Sequence, residues 1–170
     1  MSMYPLVKVQ QPEPFDIVDQ SVLVAGVGTG FEATLNVRVR DGNSAQLALT
    51  FVNAGGGLGE LGNFQIAVDL PGPPPTPNGF VEVFDGTATE VPANLVVVPV
   101  VFGANLVDGY FGFSLREVRP GDTLFGIAEE VYGNGNLFPI IFEANRNQIA
   151  NPNLIFPGQT LRIPKGSAGL

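Results

Sequence analysis

The chain contains no cysteine, no histidine and no tryptophan. Without cysteine there is no disulfide, no thiolate metal site and no cysteine nucleophile. Without histidine the commonest general base and the commonest zinc ligand are both missing. Charge is scarce, at 14% of the residues, and positive charge is scarcer still. Eight Lys and Arg stand against sixteen Asp and Glu, a formal net charge of −8. Nucleic-acid binding rests on cations set against phosphates, so nucleic acid is not an expected partner. No apolar run approaches the roughly 20 residues of a membrane span, so no membrane insertion is expected. The first fourteen residues have no apolar h-region and hold Pro5, Pro12 and Pro14, which does not read as a signal peptide. The cell envelope or the space outside the cell is expected of an exported chain; the alternatives without a signal peptide are the cytoplasm or export by another route.

What the chain does have is glycine (22 residues), proline (15) and a 45% hydrophobic content. That content can bury a core, and glycine and proline without a collagen period read as many turns between short strands. The 170 residues fit two small domains. Charge divides them: residues 1–115 hold three basic and eleven acidic residues, residues 116–170 hold five of each. Residues 1–14 read as an extended lead-in, 104–115 as an aromatic linker expected to dock on its neighbours through Tyr110, Phe111 and Phe113, and 165–170 as a tail.

From 15 to 103 the pattern is repeated short strands. Leu35, Val37 and Val39 alternate with Asn36, Arg38 and Arg40. Similar runs occur at 21–27, 46–52, 63–70, 79–84 and 95–102. Period 2 with one wet face predicts an antiparallel sheet packed on one side, and six or so such strands predict a β-sandwich. Asp41-Gly42-Asn43 predicts a hairpin. The proline-rich stretch 71–79 predicts a stiff crossover between sheets, and Pro99 within a strand run predicts an edge or a bulge. Gly26-x-Gly28-x-Gly30 follows a strand, but a phosphate loop needs a helix next and residues 31–40 read as a strand, so a wide hairpin turn is expected. Asp16 with Asp19, and Glu82 with Asp85, read as solvated face and turn residues.

Four stretches carry a resemblance: Pro14-Phe15-Asp16-Ile17-Val18, Val24-Ala25-Gly26-Val27-Gly28-Thr29-Gly30-Phe31-Glu32, Asn78-Gly79-Phe80-Val81-Glu82-Val83-Phe84 and Val97-Val98-Pro99-Val100-Val101-Phe102. Over 14–103 the chain resembles the immunoglobulin-like domain of bacterial spore germination, the Gmad2 type. It departs from that pattern at 85–92, Asp-Gly-Thr-Ala-Thr-Glu-Val-Pro, where the family has a Ser/Asp/Glu-rich hairpin.

The C-terminal part reads as strand, helix, helix, strand. Residues 116–119 are a short strand, and Asp122 or Thr123 caps a helix whose stripe is Leu124, Ile127, Ala128 and Val131. Gly133 falls at a left-handed C-cap, and Asn136 is placed to cap a second helix with Pro139 in its first turn. Residues 159–163 close the module. Leu124, Ile127, Ile141 and Leu161 are expected in its core; Gly121, Gly133 and Gly158 are turn and cap glycines; Asp122 is a cap before it is an acid.

The run Val118-x-x-Gly121-Asp122-Thr123-Leu124-x-x-Ile127-Ala128, then Tyr132-Gly133, Ile141-x-x-x-Asn145 and Asn151-Pro152-Asn153-Leu154-Ile155-x-Pro157-Gly158-Gln159-x-Leu161-x-Ile163-Pro164 is similar to LysM. The resemblance implies a βααβ module over 116–164 that binds N-acetylglucosamine-containing glycan, peptidoglycan or chitin-like, between two loops. Those loops are Gly121, Asp122, Thr123, Leu124 and Phe125 on one side, and Pro152, Asn153, Leu154, Ile155 and Phe156 on the other. Phe125 and Phe156 are read either as packing between the loops or as a platform for a sugar face. The expected protein is an immunoglobulin-like sandwich followed by a LysM module, a binder and not an enzyme, with no catalytic residue, metal or cofactor. The sandwich is a spacer or a protein-contact domain. The alternative is an assembly protein whose two domains contact other proteins or further copies.

Overall fold

The computed structural model describes residues 7–29, 34–56, 60–86 and 92–167. The first part is a sandwich of two sheets. One has three strands, β1 (Val7–Gln11), β3 (Ser21–Gly28) and β6 (Gly62–Asp69), in the order β1-β3-β6. The other has five, β2 (Asp16–Val18), β4 (Thr34–Asp41), β5 (Gln46–Asn53), β7 (Asn78–Asp85) and β8 (Ala93–Phe102), in the order β2-β8-β7-β4-β5. Alternation selects the core. Leu35, Val37 and Val39 of β4, Val22 and Val24 of β3, and Val81 and Val83 of β7 are fully buried between the sheets. Each such side chain contributes about 1.5–3 kcal/mol.

The turn chemistry forms as its residues dictate. The Asp41 carboxylate accepts from the backbone N–H of Asn43 (2.9 Å) and Ala45 (2.8 Å), closing the β4–β5 hairpin. The proline-rich stretch carries the chain from β6 in one sheet to β7 in the other.

Several expectations are corrected. Residues 7–11 are not a lead-in: β1 pairs antiparallel with β3, and Val7 is buried. Strand formation there is supported by Gly26, since a Cβ on it would strike the Lys8 carbonyl oxygen and crowd the Phe64 ring. Gly26 and Gly28 therefore lie in β3 and not in a turn, while Gly30 falls outside the described residues. Pro99 lies in a strand that is only half an edge. The short β2 pairs in parallel with Val100, Val101 and Phe102, and among the described residues no strand pairs with that side of β8 before Pro99. Glu82 is no solvated face residue. Its carboxylate, mostly buried, holds Arg38 Nε at 2.5 Å and Arg40 Nε at 3.1 Å, and the Arg38 guanidinium lies over the Phe84 ring at 4.8 Å.

The second part is the βααβ module: β9 (Tyr110–Glu117), α2 (Leu124–Tyr132), a 3₁₀ turn (Gly135–Leu137), α3 (Phe138–Ala144) and β10 (Thr160–Gly166), with β9 and β10 antiparallel. Leu124, Ile127, Ile141 and Leu161 lie in its core beside Val118, Ile149 and Ile163. Residues 110–115, read as linker, form most of β9, and Lys165 and Gly166 extend β10 into the expected tail. The remainder of the linker contains the single-turn helix α1 (Gly103–Leu106). Its Leu106 is buried with Val101 of the sandwich and Ala144 of the module, flanked by Ile17 and Ile140. Arg162 crosses the same seam: Nη1 donates to the Phe15 carbonyl oxygen at 3.0 Å. Among the described residues no helix is long and apolar enough to cross a membrane.

Candidate functional site

Two loops at one end of the βααβ module face each other. The first leaves β9 and enters α2. Gly121 turns it with φ 88°, a backbone region that only glycine adopts freely. The Asp122 carboxylate accepts from the Arg119 backbone N–H at 2.9 Å and lies 3.4 Å from Arg116 Nη2. The Arg119 N–H, then the Arg116 guanidinium, hold that carboxyl below the usual carboxylate range. Asp122 is thus committed to the loop and is poorly suited to donate a proton. Thr123, not Asp122, caps α2: its Oγ1 accepts from the Gly126 N–H at 3.0 Å. Gly133 ends α2 in the left-handed region at φ 69°. Glu130, on the exposed side of α2, accepts from Arg116 Nη1 at 2.7 Å, and that contact lowers its pKa.

The second loop leaves α3 and enters β10. Its asparagines build it. Asn151 Oδ1 accepts from the Asn153 N–H at 3.0 Å, and the Asn151 carbonyl accepts from Leu154 N–H at 3.0 Å. The Gln159 Oε1 accepts from Phe156 N–H at 3.1 Å, and Gly158 turns with φ 87°. Val118 joins the loops: its N–H donates to the Gln159 carbonyl at 2.8 Å and its carbonyl accepts from Gly158 N–H at 2.9 Å. Short polar side chains satisfy the backbone within each loop, so the loops are preformed and little ordering is needed on binding.

Between them lies a cleft of about 160 Å³. Its walls bring together Asp122, Thr123, Leu124 and Phe125 from the first loop with Pro152, Asn153 and Ile155 from the second. Gly121, Leu154 and Phe156 do not line it. Leu154 (57% exposed) and Phe156 (64%) instead stand in solvent beside it. Phe138, which the sequence reading did not single out, completes the wall. It begins α3 directly before Pro139, because the 3₁₀ turn ahead of it is capped by Asn134 and not by Asn136: Asn134 Oδ1 accepts from the Asn136 N–H at 3.0 Å. An aromatic residue beside a helix-start proline, facing a loop rich in asparagine, was the available signal. The Phe125 ring, 52% exposed, lies on Gly135, where any Cβ would strike ring carbons.

The cleft's chemistry is flat apolar contact with a few fixed polar groups, the pattern of a site for an uncharged, amphipathic ligand. It has one carboxylate, already engaged.

The fold and cleft define a two-domain protein, an immunoglobulin-like sandwich carrying a small βααβ module with a cleft between two loops. Residues 6–89 match the immunoglobulin-like domain of bacterial spore germination, and residues 117–164 match the LysM domain. The chain therefore carries a Gmad2 domain followed by a LysM domain, and LysM is a glycan-binding module. The chain is similar to the potassium binding protein Kbp of Escherichia coli O6:H1, 54% identical over 48 residues that make up 28% of this chain and 32% of that protein. It is also similar to an uncharacterized protein of Deinococcus radiodurans, 49% identical over 53 residues, 31% of this chain and 20% of that one. The match thus spans about a third and a fifth of these relatives' lengths.

Proposed function

We propose that the LysM module binds an N-acetylglucosamine-containing glycan, peptidoglycan or a chitin-like chain, without acting on it, and that the sandwich serves as a spacer or protein-contact domain. The observation that carries this reading is the cleft itself, which unites seven of the ten residues expected from the sequence, on loops tied together through Val118. The acetamido group offers one donor and one acceptor, which preformed loop backbone and Asn153 can meet. The sugar ring offers an apolar face, which Phe125, Phe138 and Ile155 can meet. A chain with this function would act in the cell envelope or in the space outside the cell.

Isothermal titration with a chitin oligomer of several sugars, and co-sedimentation with purified peptidoglycan, test the proposal. Heat or pull-down with either glycan supports it. Neither, with a folded protein, removes it.

A further inference from the structure

Among the described residues, the open edges of these sheets are guarded, with one exception. β1 carries Lys8 and a bulge between Val9 and Gln11. β2 is three residues long and begins with Asp16. β6 ends in Asp69 and turns Asn63 and Gln65 outward. The part of β8 that β2 leaves uncovered is bounded by Pro99 and by Asn94, whose φ is 52°. β9 is broken by Gly112 and ends in Arg116-Glu117, and β10 holds Arg162, Pro164 and Lys165. Charges, prolines, bulges and shortness are the means by which natural edge strands avoid another chain.

β5 has only one of these, an irregularity at its start. Across its eight residues, Gln46–Asn53, there is no charge, no proline and no glycine. It pairs with β4, and among the described residues no strand pairs with its other side. The irregularity in its pairing falls at its start, beside Gln46, so the run from Ala48 onward is regular. Its outward face carries Leu49 (38% exposed) and Phe51 (66%).

We infer that β5 is a self-association edge: two copies of the chain pair their β5 strands antiparallel about a two-fold axis at Thr50, merging two five-stranded sheets into one of ten. The occupant is a second copy because the strand complements itself. A two-fold at Thr50 sets outward Leu49 opposite outward Phe51 of the second copy, and inward Ala48 opposite inward Val52. Side-chain period 2 then keeps every apolar row on its own face. The strand is neutral, so this pairing opposes no like charges although the whole chain carries −8. It also satisfies the row of edge N–H and C=O groups. This surface lies on the sandwich and does not depend on the glycan reading.

Sedimentation velocity on the full chain over a wide concentration range tests it, with circular dichroism and melting to check the fold. The wild-type chain is expected to dimerise. Phe51→Lys and Leu49→Lys, both at exposed positions, are each expected to raise the dissociation constant about tenfold or more with an unchanged circular dichroism spectrum. Leu49→Lys combined with Phe51→Glu faces opposite charges across the axis and is expected to restore the dimer. Leu115→Lys, at an exposed position on β9, should leave it intact. A wild-type monomer at the highest soluble concentration overturns the inference. So does a dimer that survives Phe51→Lys, one that Leu115→Lys dissolves, or a charge-paired variant that stays monomeric.

Discussion

Asn145 and Arg162 meet at both polar ends of one peptide unit pair: Asn145 Nδ2 donates to the Arg162 carbonyl oxygen at 2.8 Å, and its Oδ1 accepts from the Arg162 N–H at 2.8 Å. Asn145 is fully buried, and its Nδ2 also donates to the Ile141 carbonyl at 2.7 Å. The end of α3 is thereby fastened to β10, and with it the start of the second loop. Replacing Asn145 with Ala leaves buried backbone groups unpaired, at about 1–3 kcal/mol each. Asn145→Ala is expected to lower stability by about 2–4 kcal/mol, measured by denaturant unfolding. Asn145→Asp, which keeps the acceptor and, when protonated, one of the two donors, should cost less than the alanine in acid and more near neutral pH, where a buried charge results.

Helix ends make a second pair of tests. Thr123→Ala removes the cap of α2 and is expected to cost about 1 kcal/mol. Gly133→Ala forces a Cβ into the left-handed region at φ 69°, with open space around it, so its cost of about 1–2 kcal/mol is conformational and not steric. Thermal melting of both variants checks the values. An unchanged melting temperature for Thr123→Ala would mean that packing alone fixes the start of α2.

Binding is probed beside the ligand and behind it. Leu154→Asp sets a charge at the mouth of the cleft, next to where the apolar sugar face would rest, and is expected to abolish binding without changing melting. Gly135→Ala never touches the ligand but displaces the Phe125 ring that lies against it. If that ring is a sugar platform, titration with chitin oligomers should show a loss comparable to Phe125→Ala. Full affinity in both variants would leave Phe125 as packing between loops.

Acid should loosen the module. Asp122 and Glu130 both sit below the usual carboxylate range in the fold, Asp122 chiefly through the Arg119 N–H and Glu130 chiefly through Arg116. Their stabilisation is complete above the pKa of the unfolded carboxyls and is lost as pH falls toward the lower folded values. Melting temperature is expected to drop over that acidic window, and Arg116→Met should flatten the drop by releasing Glu130.

Much of this was legible in the sequence, and the reasons are local. Period 2 placed Leu35, Val37 and Val39 inside because a strand's faces alternate whatever it packs against. The α2 stripe, the Gly133 cap and the loops of the cleft follow from chemistry within a few residues. What was hidden depends on partners far along the chain. Nothing near 7–11 announces that β3 lies alongside. Tyr110, Phe111 and Phe113 read as a linker because the strand they start is completed only by β10, about fifty residues later. Glu82 looked solvated because its cations, Arg38 and Arg40, come from another strand. Phe138 was missed for a similar reason: its place in the wall depends on a 3₁₀ turn that propensity does not foretell.

The seam of Val101, Leu106 and Ala144 leaves only Val107, Asp108 and Gly109 between α1 and β9. A domain on a slack tether searches for its ligand in all directions and loses that freedom once it binds. Here there is no slack to lose. The sandwich aims the cleft, so under the proposed function it would set the angle at which a glycan strand arrives, and a pull on that strand would be carried through β9 and the seam as through a bracket.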